Sequence, residues 1–200
     1  MDKIKLVAIL RGIRPAEAAE HIETLIMAGF RYIEIPLNSP DWQQSIPQMA
    51  ARFGEQAVIG AGTVLKVEQV DFLADAGAKL IVTPNTQPAT IRRAVARGMR
   101  VCAGCATATE AFSALDAGAQ WLKIFPSSTF GPAYIRALKA VLPPEVPVLA
   151  VGGVTPENLA SWVEAGCAGA GLGSDLYRAG QAVERTRQQA ERFIAAARCG

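Results

Sequence analysis

Lys123 is the only charge in Trp121-Leu-Lys-Ile-Phe-Pro126, a run that otherwise reads as a buried strand. An ammonium group is costly to bury unless it is paired or its pKa falls. A lysine pushed toward neutrality becomes a nucleophile for carbonyl carbon. A second run, Tyr32-Ile-Glu-Ile-Pro36, carries a lone Glu34 in the corresponding place. An amine and a carboxylate at one level of a closed sheet suggest Schiff-base chemistry.

The elements that position them come from a repeat. A helical pattern ends at a glycine and an apolar strand follows, at Gly29, Gly77, Gly98, Gly118 and Gly166, with Gly54 fitting between the first two. The spacings are 20 to 25 residues, except Gly118 to Gly166, which spans two units joined at Pro143–Pro147. Glycine after a helix adopts the left-handed cap conformation at little steric cost. Helix then strand at this period is a succession of βα units. The strands fall at 5–10, 31–36, 57–61, 79–83, 100–103, 120–125, 147–151 and 168–171, with a last helix near Gln181–Ala197. Most read as continuous apolar runs, as expected when both sheet faces are covered. Residues 1–200 are therefore read as one (β/α)8 barrel domain, with an open doubly wound sheet as the competing arrangement.

Glu34 follows Gly29 by five residues and Lys123 follows Gly118 by five. Side chains alternate along a strand. Ile33, Ile35, Leu122 and Ile124 should thus face the helices, and Glu34 and Lys123 the barrel interior. Both lie on even-numbered strands, which contribute to the same layers of a barrel core. A buried ion pair that fixes register is the bland alternative.

Other candidates line the carboxyl-terminal rim. Arg11 ends the first strand, where its planar fork suits a carboxylate or phosphate; an exposed loop arginine is the alternative. Thr63 closes Gly60-Ala-Gly-Thr63 beside it, and Thr83, Pro84 and Asn85 end the fourth strand, with Pro84 read as a substrate contact. The last two strand ends are rich in glycine, around Gly152-Gly153 and Gly173-Ser174. Loops in these places commonly hold phosphate through bare amides and a helix N-terminus, and Thr155-Pro156-Glu157 reads as a helix opening. Tight turns are the competing explanation. Neither stretch is a dinucleotide or Walker motif, so no nucleotide is expected.

Several function classes lose support. A net charge of +2 with dispersed basic residues gives no nucleic-acid surface. No apolar run approaches the roughly 20 residues of a membrane span. Leu6–Leu10 is too short for a signal-peptide core, and four cysteines in this length do not form a secreted framework, so a cytoplasmic protein is expected. The single histidine, His21, is read as a satisfied surface or partly buried residue of a helix over Pro15–Ala28. Cys102-Ala-Gly-Cys105 is a lone C-x-x-C, read as strand-end packing rather than a zinc or redox site.

Together these residues resemble the family of 2-keto-3-deoxy-6-phosphogluconate and 6-phosphogalactonate aldolases. The motifs that carry the resemblance are AILRG at 8–12, EIPLNSP at 34–40, GAGTVL at 60–65, TPN at 83–85, LKIFPSS at 122–128, AVGGVTPEN at 150–158 and GLGSDL at 171–176. The resemblance implies a class I aldolase that uses no metal or cofactor and assembles as a homotrimer. It implies that Lys123 forms the Schiff base and that Glu34 handles protons. Arg11 and Thr63 are then candidates for the substrate carboxylate, and Gly152, Gly153, Gly173 and Ser174 for its phosphate. The gluconate members carry threonine and arginine where Pro36 and Asn38 stand here, which makes the chain similar to the galactonate branch. That branch cleaves its sugar acid to pyruvate and D-glyceraldehyde 3-phosphate. The gluconate epimer, 4-hydroxy-2-oxoglutarate, and a non-catalytic phosphate-binding barrel stay open as alternatives.

Overall fold

The computed structural model describes residues 4–199. Strands and helices alternate strictly: β1 Lys5–Ile9, α1 Pro15–Ala28, β2 Tyr32–Pro36, α2 Trp42–Phe53, β3 Val58–Gly62, α3 Val67–Asp75, β4 Leu80–Val82, α4 Pro88–Ala96, β5 Arg100–Cys105, α5 Ala108–Asp116, β6 Trp121–Ile124, α6 Ser127–Lys139, β7 Val148–Val151, α7 Leu159–Glu164, β8 Gly169–Leu172 and α8 Val183–Cys199. Every neighbouring pair is parallel, and β8 closes on β1. The chain is a (β/α)8 barrel.

The glycine period is visible in the backbone. Gly29, Gly77, Gly98, Gly118 and Gly166 all have positive φ, in the region that L side chains rarely adopt. Gly54 departs from the expectation. Its φ is −60°, so the helical path continues past it. A further turn follows, in which Phe53 O accepts from both Gln56 N and Ala57 N at 2.9 Å. That turn is the longer lead into β3.

Two apolar cores lie on opposite sides of the sheet. Ile33, Ile35, Leu122 and Ile124 are fully buried between strands and helices. Val7, Ile9, Leu80, Val82, Cys102, Trp121, Leu149 and Val151 fill the barrel itself. Burying each large aliphatic side chain contributes about 1.5–3 kcal/mol.

The strand register sorts the interior into layers. Following paired residues and advancing two positions at every second strand leads from Glu34 to Val82, Lys123, Gly171 and back to Glu34. This is the four-residue layer of a barrel with tilted strands, drawn from even strands only. The same path places Val7, Gly60, Cys102 and Leu149 one layer below, and Ile9, Gly62, Gly104 and Val151 one layer above. At the bottom, Tyr32 and Trp121 meet edge to face, with ring centres 4.9 Å apart. Arg100 lies 4.9 Å over the Trp121 ring and donates to Tyr32 OH at 3.3 Å. This cluster packs the amino-terminal end.

Candidate active site

Glu34 is 2% exposed, on the inner face of β2. Glycine at position 62 makes room for it. A Cβ there would fall 2.1 Å from Glu34 Oε2 and 2.3 Å from Oε1. Oε2 is buried with no hydrogen-bond partner. Burial pushes the carboxyl up to about 7, against the opposing charges of Lys123 and Arg11. A carboxyl of that strength can both take and return a proton near neutral pH.

Lys123 is 5% exposed, on the inner face of β6. Burial lowers its pKa; Glu34 and Cys102 pull the other way, and Arg11 adds to the lowering. Its Nζ lies 4.8 Å from the centre of the Phe125 ring. Lys123 and Glu34 form no salt bridge within 4 Å. A register-fixing ion pair would need that contact, because an unmatched buried charge is costly.

Above this layer opens a cavity of about 640 Å³, bordered by Lys123 and Phe125 and by the ends of several other strands. Arg11 reaches it from the end of β1, and its Nη1 donates to Asn38 Oδ1 at 2.7 Å and to Thr63 Oγ1 at 3.4 Å. Thr63 has φ +55°. A β-branched residue in the left-handed region stores strain of about 1–3 kcal/mol, of the kind that gathers at working sites. Pro84 borders the cavity. Thr83 does not. It is fully buried, donates to Asn85 O and accepts from Gly104 N, so it shapes the end of β4 rather than the rim.

The two glycine loops face each other across the mouth. Gly152 and Gly153 have φ of +96° and +75°, and a Cβ on Gly153 would meet the Ser128 Cβ at 2.7 Å. Asn158 ties this loop together, accepting from Thr155 N and donating to Gly153 O, both at 2.8 Å. Gly173 and Ser174 border the cavity from β8, and a Cβ on Gly173 would point into open space. Among the described residues, the N–H groups of Gly153 and Ser174 find no protein acceptor. Asp175 and Arg178 stand at the same rim with opposite charges.

Thr155-Pro156-Glu157 forms a capped turn that leads into α7, which is regular from Leu159: Thr155 O accepts from Leu159 N at 3.0 Å and Thr155 Oγ1 from Asn158 N at 3.3 Å. The second glycine stretch lies farther from a regular helix, since α8 starts only at Val183. His21 is more buried than expected, at 2% exposure, with Nδ1 2.8 Å from Thr186 Oγ1. Cys102 belongs to the barrel interior and Cys105 to the outer core, so the two thiols face opposite sides of β5. They do not converge on one ligand, and no group of three potential metal-binding side chains occurs among the described residues.

The cavity therefore gathers Arg11, Thr63, Pro84, Lys123, Gly152, Gly153, Gly173 and Ser174, with Glu34 in the layer of its floor. Sequence reasoning gave no role to Gly62, Phe125, Asn158 or Arg178, and used Asn38 only as a mark of the branch. Only Gly62 left a usable signal: it is a glycine at an inward position one level above Glu34.

The chain also matches known proteins along nearly its whole length. A family model described as KDPG and KHG aldolase matches residues 1–192. The chain is 68% identical to 2-dehydro-3-deoxy-6-phosphogalactonate aldolase of Escherichia coli (strain K12), over 98% of this chain and 96% of that protein. It is 47% identical to a probable 2-dehydro-3-deoxy-6-phosphogalactonate aldolase of Rhizobium meliloti (strain 1021), over 96% and 90% of the two chains. The solved native KDPGal structure superposes with a TM-score of 0.97 at 68% identity, covering 98% of this chain and 95% of that one. A cube-shaped cage designed by fusing symmetric oligomeric domains matches with the same TM-score and identity, over 98% of this chain and 73% of the cage chain.

Proposed function

We propose a reaction for this chain on the premise that it belongs to the KDPG and KHG aldolase family. It is a class I aldolase that cleaves 2-dehydro-3-deoxy-6-phospho-D-galactonate to pyruvate and D-glyceraldehyde 3-phosphate, as the name of its 68%-identical relative suggests. One observation carries the residue assignments. A lysine with a lowered pKa and a carboxyl near 7 share one barrel layer, under a cavity rimmed by an arginine and two glycine loops.

Neutral Lys123 Nζ attacks the C2 ketone, and loss of water gives a protonated imine. The imine draws the electron pair of the C3–C4 bond as that bond breaks. Glu34 takes the C4 hydroxyl proton, directly or through a water, and the hydroxyl carbon becomes the aldehyde of glyceraldehyde 3-phosphate. An enamine of pyruvate stays on Lys123. Protonation at C3 and hydrolysis release pyruvate and restore the amine. The protonated imine supplies the electron sink that a Lewis-acid metal supplies elsewhere. Arg11 and Thr63 hold the C1 carboxylate, with Pro84 packed against the substrate. Gly152, Gly153, Gly173 and Ser174 hold the phosphate.

The deciding experiment is borohydride reduction in the presence of pyruvate, followed by peptide mass. A reduced pyruvyl adduct on Lys123 is expected. An adduct on another lysine, or none on folded protein in excess pyruvate, overturns the assignment. Turnover of the two C4 epimers of the sugar acid then tests the substrate, with the galactonate epimer expected to give the higher kcat/KM.

The assembly proposed is a homotrimer, in keeping with a related chain serving among symmetric oligomeric domains of a cage. Sedimentation velocity distinguishes it from a monomer or dimer. A cytoplasmic location is proposed with it; among the described residues no helix is long and apolar enough to cross a membrane.

A further inference from the structure

The β8 loop, residues 173–182, has no regular secondary structure, yet it presents Gly173 and Ser174 to the cavity. Its shape is held from beneath. Gly173 O accepts from Leu176 N and Tyr177 N at 3.0 and 2.9 Å, which closes a tight turn. Arg178 Nε donates to Ser174 O at 2.9 Å. The Gln181 carboxamide then joins three points: Nε2 donates to Leu176 O at 3.0 Å and to Thr186 Oγ1 at 2.8 Å, while Oε1 accepts from Arg178 N at 2.9 Å.

Thr186 is fully buried on α8, and its hydroxyl lies 2.8 Å from His21 Nδ1 on α1. The hydroxyl accepts from Gln181, so it has one proton left to give, and the acceptor nitrogen of a neutral His21 suits it. Burial lowers the pKa of His21, against the opposing charges of Glu17 and Glu20 on the same helix. The imidazole also meets the ring of Tyr177 edge to face at 5.1 Å, and Tyr177 borders the cavity. None of Gln181, Thr186 and His21 borders the cavity. A polar chain this buried and this well matched is costly to assemble unless it specifies a shape.

We propose that Gln181, Thr186 and His21 are positioning residues that set the affinity of the β8 loop for the phosphate monoester of the substrate without touching it. The proposal rests on the reading above that this loop seats the phosphate. Fixing the loop beforehand removes an ordering cost from binding. The chain should therefore govern anion affinity and leave the imine chemistry alone.

Three readouts test this on the full-length protein: KM for the phosphorylated sugar acid, competitive inhibition by inorganic phosphate, and borohydride trapping by pyruvate, which carries no phosphate. Thr186→Val keeps the shape and removes the hydroxyl. Of the two hydrogen bonds it removes, the one to Gln181 links α8 to the loop, so KM and the phosphate inhibition constant are expected to rise about tenfold, the scale of that single bond. Trapping and kcat should stay within about twofold of the wild type on the same scale. Thr186→Ser, which restores the hydroxyl, should recover most of the phosphate affinity. Should Thr186→Val not fold, Gln181→Met at a partly exposed position cuts the same chain. Unchanged phosphate inhibition in the folded variants overturns the proposal, as does a parallel loss of trapping. Failure of phosphate to compete in the wild type, with trapping intact, instead defeats the phosphate seat itself.

Discussion

Glu34 and Lys123 occupy opposite corners of one four-residue layer, on β2 and β6, and the two remaining corners are Val82 and Gly171. They influence each other's charge without a salt bridge, and burial dominates both, raising the pKa of one and lowering that of the other. Lys123 is thus moved toward the neutral amine that attacks carbonyl carbon, and Glu34 toward a pKa at which it can take and return a proton near neutral pH.

Replacing Lys123 with Met should abolish turnover and trapping while leaving the protein at least as stable at pH 7. The desolvation cost of the buried ammonium is removed, and Glu34 avoids an uncompensated charge by taking up its proton. The charge that opposes burial at Glu34 disappears as well, so the Glu34 pKa should climb above about 7. Carboxyl carbon NMR of Glu34 and thermal unfolding check both halves. A Glu34 pKa that fell in this variant would contradict the coupling.

Glu34→Gln should lower kcat by about 10²–10⁴-fold, the range for loss of a general base. Its effect on stability should depend on pH with a definite sign. The pKa is raised from 4.5 to about 7 on folding, so the folded protein binds more protons than the unfolded chain between those values. The contribution of Glu34 is therefore present below pH 4.5 and lost as pH rises through about 7. Relative to wild type, the Tm of the variant should rise across that window. A flat difference from pH 4 to 8 would remove the basis for a raised pKa.

Gly62→Ala should shift the Glu34 side chain rather than the backbone. Its Cβ would need the space of the Glu34 carboxylate, only 2.1 Å away. Overpacking of this kind costs about 1–3 kcal/mol, and here it also displaces the base. A drop in kcat larger than the change in pyruvate trapping is expected. Wild-type kcat in Gly62→Ala would show that Glu34 does not need its place.

Thr63→Gly separates strain from function. Relief of the positive φ gains about 1–3 kcal/mol, set against roughly 0.5–1 kcal/mol for the freer unfolded chain. Tm should hold or rise, while KM for pyruvate rises several-fold through loss of the hydroxyl beside Arg11. A clear fall in Tm would show that the threonine is not strained.

The sequence disclosed what one residue can signal by itself. A lone charge in an apolar strand is conspicuous, and alternation sends Glu34 and Lys123 inward once the strands are placed. The helix–glycine–strand period located all eight strands to within two residues. Contacts between distant positions were invisible. Arg11 is aimed by Asn38, twenty-seven residues on, and Gly62 matters only because Glu34 fills its missing side chain. Gly54 misled because a glycine permits the left-handed conformation without requiring it. Thr83 misled because its position at a strand end did not reveal that its hydroxyl would turn to backbone partners.

The Arg100–Trp121–Tyr32 cluster packs the end of the barrel opposite the mouth. In the proposed reading, the substrate reaches Lys123 through the mouth, keto-acid end first, with its phosphate at the glycine loops. Departure is then ordered by depth. The phosphorylated fragment nearest the exit leaves first, water follows it in, and the three-carbon acid bonded at the base leaves last. Under that reading, depth in the barrel and covalent attachment together set the order in which the products leave.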